Sequence, residues 1–174
     1  MIRMDAAAGL AVTTTVDASK ALAALTDAEV PAKIAAVDAT LWGPDAAEEA
    51  AIRLGWIDTF TRSRELVSTL DELRARLTAD GLTRVVLAGM GGSSLAPEVI
   101  CRTLGKPLTV LDTTDPQQIR AAIDEDLAET VVVVSSKSGG TVETDSIRRA
   151  YAQAFTDSGI KDIGKHFVVV TDPG

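Results

Sequence analysis

Val85-Val86-Leu87-Ala88-Gly89-Met90-Gly91-Gly92-Ser93-Ser94 and Val131-Val132-Val133-Val134-Ser135-Ser136-Lys137-Ser138-Gly139-Gly140-Thr141 decide the fold. Each is an apolar run that opens into glycines and hydroxyls. Apolar runs without alternation suit strands covered on both faces, the habit of parallel sheets. A strand that ends in glycine and serine ahead of a helix is how α/β folds turn backbone N–H groups toward an anion.

Outward from these two runs the chain alternates. The pattern predicts strands at 84–88, 108–111, 130–135 and 167–171, with helices at about 95–104, 116–127 and 141–156. Asp115-Pro116-Gln117-Gln118 marks a helix start, with an acid at the N-cap and proline at the first helical position. Such alternation predicts a three-layer α/β/α sandwich around a parallel sheet. Upstream, residues 1–44 read as helical pieces without a strand, at Asp17–Leu25 and Ala28–Val37. Trp42-Gly43-Pro44 supplies turn chemistry, and Asp45 with Glu48 has capping-box spacing. Ile52, Trp56, Ile57 and Phe60, then Leu66, Val67, Leu70, Leu73 and Leu77, fall at helical spacing and are expected to face a core.

Composition narrows the function. The 174 residues are 46% hydrophobic but only 3% aromatic, so the core must come from Val, Leu, Ile and Ala. A net charge of −8, with arginines interleaved among acids, argues against nucleic acid or an anionic membrane as partner. One cysteine, Cys101, excludes an internal disulfide and fits a reducing compartment, so a cytoplasmic location is expected. With one histidine, His166, at the entrance of the last strand, no zinc site is expected. The N-terminal stretch is a poor signal peptide, because Asp5 interrupts it. The last strand ends in Thr171-Asp172-Pro173-Gly174, where a functional loop would start, so the sequence reads as a piece of a longer protein.

The second loop carries the stronger chemical signal. Ser136, Ser138 and Thr141 bring hydroxyls, Gly139 and Gly140 free the backbone, and Lys137 supplies charge. A phosphate monoester needs several converging donors and a compensating cation, and each hydrogen bond to a charged group contributes roughly 1.5–3 kcal/mol. The lysine precedes the glycines, so this is not a Walker loop. Ser93 and Ser94 of the first loop are placed to cap a helix starting near Leu95. The first loop is a partial dinucleotide fingerprint, with Ser94 at the position of the third glycine and Asp112 as a candidate ribose ligand.

Together Gly89–Leu95 and Ser136–Thr144 resemble the signature loops of the glucose-6-phosphate isomerase family, most of all its bacterial transaldolase–phosphoglucose isomerase fusion form. Leu111–Pro116 and Val170–Gly174 are similar too, so the resemblance covers about residues 46–174. It implies a flavodoxin-like sugar isomerase (SIS) domain at 46–174, truncated before a second such domain, with residues 1–45 as a helical lead. It implies that Ser136, Lys137, Ser138, Gly139, Gly140 and Thr141 grip the phosphate of glucose 6-phosphate or fructose 6-phosphate, and that Gly92 and Ser93 contact the sugar phosphate. Many members carry threonine at the place of Ser138, and a bulkier residue and a threonine at Gly139 and Gly140. The family's enediol chemistry needs no cofactor. Its catalytic glutamate, arginine, histidine and lysine are expected beyond Gly174, so no catalytic residue is assigned within the chain. A homodimer is the expectation for the whole enzyme. Two other readings stand: a non-catalytic sugar-phosphate sensor, and an NAD-binding oxidoreductase domain using Gly89–Gly92 and Asp112.

Overall fold

The computed structural model describes residues 2–5 and 11–172; Pro173 and Gly174 of the closing motif lie outside them. The chain divides into two compact units, residues 1–68 and 69–174.

The first unit opens with an antiparallel hairpin of β1 (Ile2–Asp5) and β2 (Ala11–Thr14), in which Ile2 pairs with Thr14 and Asp5 with Ala11. This corrects the expectation of a helical lead without strands. The β-branched Val12-Thr13-Thr14 favours extended backbone, but four-residue strands carry too little alternation to stand out in sequence. Short helices follow: α1 (Ser19–Asp27), α2 (Val30–Ala35), α3 (Ala47–Arg53) and α4 (Thr59–Arg62). Gly43, at φ +90°, and Pro44 start a 3₁₀ turn at Pro44–Ala46, and Ala46 rather than Asp45 caps α3. The capping box therefore does not form: Asp45 already sits inside helical backbone.

The apolar stripe of this region also departs from expectation. Ile52, Trp56 and Phe60 are 69%, 67% and 75% exposed, and Leu66, Val67 and Leu70 are exposed as well. A 3₁₀ turn at Leu54–Trp56 breaks the 3.6-residue repeat, so these positions no longer share one face. Leu54 is buried instead.

The second unit carries most of α5 (Val67–Ala79) and then alternates: β3 (Arg84–Gly89), α6 (Gly92–Thr103), β4 (Thr109–Leu111), α7 (Pro116–Ile123), β5 (Thr130–Ser135), α8 (Val142–Asp157) and β6 (Phe167–Val170). The four strands form a parallel sheet in the order β4-β3-β5-β6. Right-handed crossovers in this order put α6 on one face and α7 and α8 on the other. The fold is thus the expected α/β sandwich.

One sheet face holds the main core. Val86, Ala88, Leu111, Val132 and Val134 pack with Ala122 of α7 and with Ile147, Tyr151 and Phe155 of α8. Those three follow one another at four-residue steps, one stripe of a helix. Phe155 lies 4.5 Å from the His166 ring, tilted by 40°, and meets Phe167 edge-on at 5.6 Å. His166 is buried, and its Nδ1 lies 2.7 Å from the carbonyl of Thr130, a structural role at the strand entrance. On the other face Leu73 and Leu77 of α5 approach Val85 and Val131 across a groove of about 340 Å³. Arg84 fastens the strand ends remote from the loops, donating to the carbonyls of Ala122 and Glu125 and to Thr130 Oγ1, each at 3.0 Å. Asp115 caps α7 as expected, accepting from the N–H groups of Gln117 at 2.7 Å and Gln118 at 3.1 Å. Among the described residues no helix is long and apolar enough to cross a membrane.

Candidate anion site at the ends of two neighbouring strands

Strand register brings the two glycine–serine loops together. Ala88 pairs with Val134 and Gly89 with Ser135, so both loops leave the same end of adjacent strands. Their contact is close. A Cβ on Gly89 would lie 3.1 Å from the Ser135 carbonyl and 3.1 Å from Ser93 Cβ, so only glycine fits without displacement.

The first loop is largely satisfied by its own bonds. Gly91, at φ +54° and ψ −117°, occupies backbone open to glycine and precedes α6. The N–H of Ser93 donates to Met90 O at 3.1 Å, and that of Ser94 to Gly91 O at 3.0 Å. Ser94 Oγ also donates to Gly91 O, at 3.1 Å, from a fully buried position. The helix therefore starts at Gly92 rather than near Leu95, and neither serine caps it. Positive φ at Gly91 turns the chain into helix earlier than the hydroxyls suggested. Gly92 is left exposed and Ser93 half-buried beside the loop mouth. Asp112 is exposed just after β4.

The second loop is pinned at its base and open at its tip. The Ser136 N–H donates to Val170 O at 3.0 Å, and the Asp172 N–H donates to Lys137 O at 3.0 Å. Ser136 is 6% exposed, and its Oγ donates to Thr141 Oγ1 at 3.0 Å. Gly139 takes φ +68°, and the Gly140 N–H donates to Ser138 Oγ at 3.3 Å. Lys137, Ser138, Gly139 and Gly140 are exposed. Thr141 is the N-cap of α8, yet its side chain makes no capping bond. The first-turn N–H groups of that helix have no intrahelical partners, so the positive end of a 16-residue helix opens at the loop. An anion at this mouth would meet backbone donors, hydroxyls and the Lys137 ammonium.

The structure thus gathers the predicted residues into one neighbourhood with different parts. Lys137, Ser138, Gly139 and Gly140 face outward. Ser136 lies behind them, holding Thr141. Sequence reasoning did not find Thr144 and Arg148, which line a cavity of about 190 Å³ behind the loop together with Ser136, Thr141 and Thr171. Thr144 lies three residues past Thr141 and Arg148 four further on, a helical repeat that could have flagged them. Arg148 donates to Asp145 at 2.8 Å, and Arg149 donates to the same carboxylate at 2.6 Å. These two bonds, Arg148's first, hold the Asp145 carboxyl below the ordinary aspartate range.

No protein-family model matches the chain. Among curated proteins, the glucose-6-phosphate isomerase of Citrifermentans bemidjiense is 35% identical over 133 residues, covering 66% of this chain and 25% of that protein. The chain therefore spans about a quarter of that relative's length. Among solved structures, a hypothetical protein from Thermus thermophilus superposes with a TM-score of 0.64 at 28% identity, over 89% of this chain and 36% of that one. A glucose-6-phosphate isomerase from Chlamydia trachomatis gives a TM-score of 0.58 at 30% identity, over 81% of this chain and 27% of that one. In sequence and in fold, the chain is similar to one portion of glucose-6-phosphate isomerases.

Proposed function

We propose that this chain is the sugar-phosphate-binding part of a glucose-6-phosphate isomerase, of the form fused to transaldolase in bacteria. Residues 46–174 would be its first sugar isomerase (SIS) domain, and residues 1–45 a lead to it. The observation that carries the reading is the open mouth at Lys137–Thr141, set against the first loop, in a chain similar to proteins of that name. Its donors and single cation suit the phosphate of glucose 6-phosphate or fructose 6-phosphate.

Binding and proton transfer are separate tasks in this reading. The loops hold the phosphate and so fix the sugar's position, with Gly92 and Ser93 touching it from the first loop. Interconversion of the two sugars through an enediol needs a base at the sugar carbons. This chain spans about a quarter of the length of its relative, and in this reading the base belongs to the rest of the enzyme. This chain alone is expected to bind without turnover, to need no cofactor, and to act in the cytoplasm as part of a homodimeric enzyme.

Calorimetric titration with fructose 6-phosphate, with fructose and NADH as controls, tests the reading. Binding that requires the phosphate is expected. It should weaken about 100-fold in the double variant Lys137→Ala, Ser138→Ala, since each lost contact to a charged group removes roughly 1.5–3 kcal/mol. Unchanged affinity in that variant would overturn the site. Binding of NADH alone would favour the dinucleotide reading.

A further inference from the structure

We infer that Thr144, one turn into α8, is a ligand of the bound phosphate; the inference rests on the function proposed above. Thr144 is 1% exposed, and its Oγ1 has no hydrogen-bond partner. Hydroxyls inside helices usually bond back to the carbonyl four residues earlier. Other hydroxyls of the same helix do so: Ser146 donates to Val142 O at 2.7 Å, and Thr156 to Ala152 O at 2.8 Å. Thr144, the third residue of α8, makes no such bond: the carbonyl four residues back belongs to Gly140, ahead of the helix. A buried hydroxyl without a partner is destabilising, and such groups call for a functional account.

Its surroundings supply one. Thr144 lines the 190 Å³ cavity together with Ser136, Thr141, Arg148 and Thr171. That space exceeds what one water molecule needs. Thr144 follows Thr141 by three positions, so the two share a helix face. Four hydroxyl-bearing residues thus border one space behind the loop mouth, with Ser136 bonded to Thr141. A phosphate seated at the mouth of α8 can direct an oxygen past Thr141 toward Thr144, which then gains the partner it lacks. Tyr151, the other buried hydroxyl without a partner among the described residues, belongs to the hydrophobic core and does not line this cavity.

The test titrates inorganic phosphate and fructose 6-phosphate into the chain and into Thr144→Val and Thr144→Ser, with thermal unfolding of each. Valine keeps the shape and removes the hydroxyl; serine keeps the hydroxyl. Affinity for both ligands is expected to fall about tenfold in Thr144→Val, the effect of one charge-assisted bond. Thr144→Ser should return it to near the wild-type value, and the unfolding midpoint of Thr144→Val should be unchanged or raised. Wild-type affinity in Thr144→Val, alongside a loss in Lys137→Ala, would overturn the inference and leave the proposed function standing. Equal loss in Thr144→Val and Thr144→Ser would overturn it too, because the hydroxyl would not be the cause. If the unaltered chain binds neither ligand, the proposed function and this inference fall together.

Discussion

The two loops share a motif style, one end of the sheet and a glycine content, yet they are built for different tasks. In the first, Ser93 and Ser94 spend their N–H groups on Met90 and Gly91, and the Ser94 hydroxyl is buried against its own turn. Its glycines solve problems of space: Gly89 admits the neighbouring strand, and Gly91 takes a backbone that side chains resist. In the second, the base is fastened to Val170 and Asp172 and the tip turns on the N–H groups of Gly139 and Gly140, while the Lys137 ammonium and the first turn of α8 keep their donors. One loop is a wall and the other a mouth. Composition alone would not separate them; the distribution of satisfied donors does.

That contrast can be broken by substitutions whose effects should fall on different measurements. The largest effect is expected for Lys137→Ala with Ser138→Ala, two exposed positions of the mouth. Affinity for fructose 6-phosphate should drop about 100-fold by calorimetry, with the unfolding midpoint hardly moved. Next comes Gly89→Val in the wall. Forcing a side chain against backbone at 3.1 Å should cost about 2–3 kcal/mol, read as a lower denaturation midpoint in urea. Gly91→Ala should cost about 1–2 kcal/mol through its positive φ. Either wall variant that left stability intact while abolishing binding would erase the distinction.

The smallest effect is expected at Tyr151→Phe. The phenol is buried without a hydrogen-bond partner, so its removal should leave the midpoint at pH 7 unchanged or slightly raised. Burial, opposed in part by the Arg84 guanidinium, raises the Tyr151 pKa above its ordinary value of 10.0. The folded state therefore keeps its proton where the unfolded state has lost it. Stability from this source is complete below pH 10 and falls as pH rises above that value. Thermal unfolding followed from about pH 9 to about pH 11 should show a shallower alkaline loss in Tyr151→Phe than in the parent.

The sheet was legible because its signals are local and strong. Unbroken valine runs set β3 and β5, and Asp115-Pro116 set the start of α7. The N-terminal unit was less so. Its helices are short and interrupted by 3₁₀ turns, so Ile52, Trp56 and Phe60 kept a helical spacing in sequence that the backbone does not keep in space. At the site, sequence supplied the hydroxyls, glycines and lysine of the mouth, because an anion site is made of such residue types. Sequence could not show that Ser136 is buried behind Thr141, that Ser94 turns inward, or that Thr144 lacks a partner. Those properties depend on which carbonyl each hydroxyl reaches, and tertiary packing decides that.

The central claim is that the mouth at the end of β5, rather than another part of the sheet, takes the phosphate. The most direct measurement is a residue-resolved NMR titration of backbone amides with fructose 6-phosphate. The account expects saturable shifts concentrated at Lys137–Thr144, with smaller ones at Gly92 and Ser93, and none with fructose. Shifts centred on Asp112 and Gly89–Gly91 with Lys137–Thr144 unmoved would contradict it.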